Sequence, residues 1–155
     1  MYKKVLVPLD GSELAECALS HVKNLVKDGL AEEVTVLNVF AVPVALLGAG
    51  GDTSAYVDVN AVEEKMKYDS LKYLADVKTR LDADGVKVKT ESREGSRAAE
   101  VICDYAEKNN VDLIVLATHG YTGLKKLMFG SVALEVLHSS HVPVFLVRPE
   151  SCWVK

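Results

Sequence analysis

Asp112-Leu113-Ile114-Val115-Leu116-Ala117-Thr118-His119-Gly120 is the stretch on which the fold turns. Five apolar residues follow one another from Leu113 to Ala117, a run of strand length that shows no alternation. A strand that is apolar on both faces needs cover on both, which is the situation of a central strand in a parallel sheet. A glycine-bearing loop then runs from Thr118 to Gly130. Ser131 opens a helix whose apolar residues are Val132, Leu134, Val136 and Leu137. Pro143-Val144-Phe145-Leu146-Val147 reads as the strand that closes the unit. Strand, helix and apolar strand in this order form a parallel crossover.

Upstream, the same alternation repeats. Val5-Leu6-Val7 is a short buried strand ending in Pro8-Leu9-Asp10-Gly11-Ser12. Ser12 suits a helix N-cap, and Glu13 and Glu16 suit the positive end of a helix. Leu14, Ala18, Val22, Leu25 and Val26 recur at helical spacing until Asp28-Gly29 stops them. Residues 34–40, Val-Thr-Val-Leu-Asn-Val-Phe, are rich in β-branched side chains and give the second strand. Residues 41–57 lack periodicity and hold Pro43, Gly48, Gly50 and Gly51, so they read as a long loop. Loops of that length in a compact domain usually serve a function. The expectation is a lid that orders when a ligand fills the adjacent site. A long helix follows, with Val62, Met66, Tyr73, Leu74, Val77 and Leu81 on one face. Val86 to Thr90 alternates as a strand nearer the sheet edge would. Gly95-Ser96 opens a helix carrying Ala99, Val101, Ile102, Tyr105 and Ala106, and Asn109-Asn110 closes it.

The 155 residues fit one α/β domain with a parallel sheet and helices on both faces. With 49% apolar and 26% charged residues, the chain can bury a core without disulfides or metals. A net charge of −4 without a basic run argues against nucleic-acid binding. The apolar part of the first residues is too short for a signal peptide. The longest apolar stretch, Val39 to Gly51, falls short of the roughly 20 residues of a membrane helix. Cys17, Cys103 and Cys152 form no CxxC pair. Cys17 and Cys103 read as small buried thiols in a reducing cytoplasm.

Ligands of such sheets bind beyond the carboxyl ends of the strands, where strand order reverses. The first strand delivers Pro8 and Asp10 there, the second Val39, and the fourth Ala117, Thr118, His119 and Gly120. The loop returns at Gly130-Ser131, where the free N–H groups of a helix start attract phosphate. Glycines let the main chain approach phosphate oxygens closely. His119 has no nucleophile and carboxylate beside it in the pattern of a triad. The Gly48-Ala49-Gly50-Gly51 run lacks the strand–turn–helix frame of a dinucleotide loop, and no Gly-Lys-Ser/Thr motif occurs.

Ala117-Thr118-His119-Gly120-Tyr121-Thr122-Gly123-Leu124, continuing through Phe129-Gly130-Ser131-Val132-Ala133, resembles the ATP-binding loop of universal stress proteins. That loop has Gly, two residues, Gly, nine residues, then Gly and Ser or Thr. VLVPLDGS from Val5 to Ser12 resembles the first strand and turn of the family, and Pro143 to Arg148 its last strand. The likeness runs from about Tyr2 to Pro149. Two positions depart from the pattern. Ala117 stands for the first glycine, and Tyr121 stands where many members have Arg, with Lys125 and Lys126 following.

The resemblance implies a doubly wound, five-stranded parallel sheet in the order 3-2-1-4-5, a domain over residues 1–149, and a tail over 150–155. It implies ATP as ligand, with magnesium or manganese carried only on the phosphates. Asp10 would bond the ribose hydroxyls or the adenine edge, and the Val39 main chain adenine. Gly120, Gly130 and Ser131 would hold phosphates, with Thr118, His119 and Val132 nearby and Pro8 and Ala117 alongside. The function implied is a nucleotide-dependent switch or scaffold in stress response, with at most slow ATP hydrolysis. One alternative is a dimeric interaction module that has lost nucleotide binding. Another is a phosphotransferase or phosphatase using Asp10, although such enzymes usually place a second Asp where Ser12 stands. The last strand, Val142 to Val147, is apolar on both faces, carries no lysine and should lie at a sheet edge. It is the expected seam of an antiparallel homodimer, as in the family.

Overall fold

The computed structural model describes residues 1–43, 58–118 and 130–148. The long loop expected over residues 41–57 therefore falls almost wholly outside the described residues, as does the tail. Five strands are present: β1 Tyr2–Leu9, β2 Ala31–Phe40, β3 Lys89–Glu94, β4 Leu113–Ala117 and β5 Val144–Val147. The helices are α1 Glu13–Glu16, α2 Ala18–Lys27, α3 Val59–Ala83, α4 Ala98–Lys108 and α5 Ser131–Ser139. The sheet runs β3-β2-β1-β4-β5, and every neighbouring pair is parallel. This is the expected order.

Side chains alternate across the sheet. Val5, Val7, Val36 and Val115 join Ala18 and Val22 of α2 and Leu74, Val77 and Leu81 of α3 in one core layer. Leu6, Leu37, Ile114 and Leu116 point the other way, onto Ala99, Ile102 and Ala106 of α4 and Ala133 and Val136 of α5. All five residues of β4 are buried.

Two elements differ from the sequence reading. Residues 12–28 form two helices, not one. The Cys17 N–H donates to Leu14 O at 3.3 Å, three residues back, and the Ser20 hydroxyl takes the Cys17 carbonyl at 2.9 Å. That tight turn divides α1 from α2, while Ser12 still caps by accepting from Ala15 N at 3.1 Å. The third strand also begins later than expected. Val86 and Val88 are buried, but Val86 N returns to Leu81 O at the end of α3, and the ladder with β2 starts only at Lys89 opposite Thr35. The alternation from Val86 reflects packing against the core, not pairing.

The cysteines need a correction as well. Cys103 carries a free, half-buried thiol whose pKa burial pushes up, but Cys17 is disulfide-bonded. The inference of a reducing compartment from unpaired thiols loses its ground there. Among the described residues, no helix is long and apolar enough to cross a membrane.

Candidate functional site

β1 pairs with β4 at Val5–Leu113 and Leu6–Ile114, and beyond these the two strands part. Pro8, which has no N–H for a neighbouring strand, lies where they have separated. The gap opens at the carboxyl ends of the strands, at the point where the order reverses. A cavity of about 230 Å³ occupies it.

One wall is the end of β1, with Pro8, Leu9 and Asp10, backed by Ala15 of α1. Leu37 and Val39 of β2 with Ala98 and Ile102 of α4 make a second, wholly apolar wall. Leu116, Ala117 and Thr118 continue from β4, and Gly130 to Ala133 at the start of α5 complete the ring. Among the residues singled out from sequence, Pro8, Asp10, Val39, Ala117, Thr118, Gly130, Ser131 and Val132 thus line one cavity. His119 and Gly120 lie outside the described residues, as do Tyr121, Lys125 and Lys126. Sequence reasoning missed Leu37, Leu116, Ala98 and Ile102. For Ala98 and Ile102 the available signal was the turn at Gly95-Ser96, which puts the first turn of α4 beside the end of β2.

Asp10 stands exposed at the rim, and its orientation comes from Ser12. The Ser12 N–H and hydroxyl both donate to Asp10 Oδ1, at 2.9 and 2.6 Å. Gly11, at φ +85°, makes the tight turn that allows this. Asp10 therefore does hold the turn, and the same bonds fix a carboxylate that can accept from hydroxyl or amine donors at the cavity mouth. Behind it, the Tyr73 hydroxyl donates to Glu16 Oε1 at 2.9 Å. Burial first, then the Glu16 charge, hold the Tyr73 phenol far above its usual range, so it stays neutral.

At the opposite end, Thr118 is buried and its N–H donates to Val147 O at 2.9 Å. Its carbonyl accepts from Gly130 N at 2.5 Å, so the chain leaves β4 and returns to α5 at one point. Gly130 is the N-cap of α5, extended at φ −68° and ψ 151°, and as a glycine it offers the helix no side-chain cap of its own. The first N–H groups of α5 lack acceptors within the helix and carry the positive end of its dipole. An apolar slot, a carboxylate and a helix start can together receive a flat apolar group, a hydroxylated one and an anion. Among the described residues, no group of three His, Cys, Asp or Glu side chains is placed to hold a metal ion.

Known proteins share this architecture. Residues 1–148 match the model of the Universal stress protein family. Universal stress protein MJ0531 of Methanocaldococcus jannaschii is 36% identical over 148 residues, covering 96% of this chain and 83% of the relative. The solved structure of MJ0577, from the same organism, aligns at 34% identity with a TM-score of 0.76 over 96% of each chain. A universal stress protein solved in complex with cAMP superposes with a TM-score of 0.65 at 18% identity, covering 95% of this chain and 97% of its own, a likeness of fold.

Proposed function

The chain belongs to the universal stress protein family, and from that premise we propose that it binds ATP between β1 and β4 and acts as a nucleotide-dependent switch or scaffold in stress response. The observation that carries this reading is the convergence of three unlike features on one cavity: the apolar slot, the Asp10 carboxylate and the glycine-led start of α5. Adenine would enter between Val39, Ala98 and Ile102, with the Val39 main chain at its edge. Asp10 would accept from the ribose hydroxyls. The phosphates would meet Gly130, Ser131 and Val132, with Ala117 and Thr118 beneath them and the loop of His119 and Gly120 alongside. Magnesium or manganese would arrive on the phosphates. That a universal stress protein of similar fold was solved with cAMP supports an adenine nucleotide as ligand. We take residues 1–149 as the binding unit and 150–155 as a tail. A cytoplasmic location belongs to the same reading and rests on the family alone.

Two observations favour other readings. Ala117 puts a methyl where the family pattern has glycine, which favours an interaction module without nucleotide. The exposed Asp10 favours a phosphotransferase or phosphatase, yet Ser12 binds its Oδ1 twice. Mass spectrometry of the natively purified protein should show a retained adenine nucleotide, whereas protein that accepts no nucleotide at all supports the module. Steady release of phosphate from ATP that vanishes in Asp10→Asn would support the enzyme.

The edges of the sheet differ in a way that supports a homodimer through the last strand. β3 is guarded by charge, with Lys89 on Glu33 at 2.7 Å, Arg93 on Glu91 at 3.0 Å, and Arg93 stacked over Tyr105. β5 presents Val144 to Val147 with Phe145 39% exposed. An apolar edge is a template for pairing, and a two-fold pair of identical edges is the simplest closed solution.

A further inference from the structure

Asn38 is a buried polar residue of β2 on the same face as the buried Val36 two residues before it, a face that otherwise packs aliphatic side chains. Its register partner is Leu9, the last residue of β1. Asn38 Nδ2 donates to the Leu9 carbonyl at 2.8 Å. Asn38 Oδ1 accepts the hydroxyl of Ser70, a buried residue of α3, at 2.6 Å. Ser70 Oγ also lies 2.7 Å from Ser92 Oγ on β3. Ser70 spends its single hydrogen on Asn38, so Ser92 is the donor of that last pair. The bonds thus run in one direction, from Ser92 through Ser70 and Asn38 to the Leu9 oxygen.

Buried polar chains of this kind are costly unless satisfied at every link, and when satisfied they make the groups at their ends rigid. This one ends at the peptide that joins Leu9 to Asp10, where β4 no longer pairs with β1. The Leu9 carbonyl and the Asp10 N–H share one rigid plane, so fixing that oxygen fixes where the Asp10 side chain starts. Ser12 then fixes where the carboxylate ends. We propose that Asn38 is a positioning residue for Asp10, holding the Leu9–Asp10 peptide so that the carboxylate meets a bound nucleotide in the right place. The inference rests on the nucleotide reading given above.

The test is a cycle of calorimetric titrations with magnesium-ATP. Asn38→Leu alone would take from the buried Ser70 hydroxyl the acceptor it uses, so it is combined with Ser70→Ala. That pair is made in the natural chain and in Asp10→Ala, with a melting curve for each. Asp10→Ala should weaken ATP, and Asn38→Leu with Ser70→Ala should weaken it about tenfold in the natural chain. In the Asp10→Ala background the same pair should cost nothing further. An equal loss in both backgrounds, as a general loosening of the cleft would give, overturns the inference, and so does the absence of any loss. Should the pair fail to fold, Asn38→Val with Ser70→Ala takes its place with the same expectation, because Val is the residue that β2 already buries at position 36 on the same face and it likewise offers no donor to the Leu9 carbonyl. A natural chain that binds no ATP instead refutes the nucleotide reading, and the inference falls with it.

Discussion

Gly95 joins β3 to α4, and its N–H donates to the Phe40 carbonyl at 2.9 Å. A Cβ built there would collide with Cγ2 of Val101 on α4, and a β-branched side chain has few rotamers in which to escape. Gly95→Ala should therefore destabilise the fold by about 1–3 kcal/mol, the usual cost of overpacking. Urea unfolding of the two chains checks this, and equal midpoints would show that α4 shifts without strain. The same residue illustrates how far the sequence can be read at this scale. Pro8, Asp10 and Val39 were legible because each lies within a residue of a strand's carboxyl end, where such sheets place their ligands. Leu37, Ala98 and Ile102 were not, because an apolar residue that lines a cavity obeys the same periodicity as one that fills a core. Cys17 was misread because nothing about a lone cysteine on a helix announces a disulfide.

At the scale of elements, α1 and α3 are joined through Glu16. Arg80 approaches its carboxylate with both terminal nitrogens, Nη1 at 2.8 and Nη2 at 2.9 Å, and the Tyr73 hydroxyl adds a third bond. Burial pushes the Glu16 carboxyl up, but the Arg80 and Tyr73 bonds together outweigh it and hold the group below the usual 4.5. A carboxyl lowered in the folded state contributes stability that is fully present above the unfolded value and lost as pH falls through the folded one. Arg80 is largely exposed, so the contribution is about 1 kcal/mol or less. Glu16→Gln should cost that much at neutral pH, and the difference between the chains should shrink as the pH falls below 4.5. A constant difference across the range would mean that the bonds matter only as packing. Periodicity disclosed the helices but not the break at Cys17, because a turn bonded three residues back keeps helical dihedrals and leaves no mark in the pattern. The start of β3 was hidden for a related reason. Val86 and Val88 bury themselves as strand residues do while the backbone still belongs to the end of α3.

For the whole molecule, the inner place of β4 was legible because it is apolar on both faces and must be covered, and the edge place of the third strand because it alternates, while the full order came with the family resemblance. That order leaves β5 at the other edge, with Phe145 held edge-on against His21 of α2 at 5.6 Å between ring centres. Sedimentation at micromolar concentration should give twice the chain mass for the natural protein and the single mass for Phe145→Lys. A dimer that survives the change would place the interface elsewhere. The central claim concerns the cavity that this order creates, and a calorimetric titration with ATP, with and without magnesium, tests it most directly. The natural chain should bind one ATP per chain, and Gly130→Val, which adds a branched side chain at the start of α5, should weaken binding tenfold or more while the melting curve holds. Heats of dilution alone from the natural chain, or the same affinity in Gly130→Val, would contradict the account.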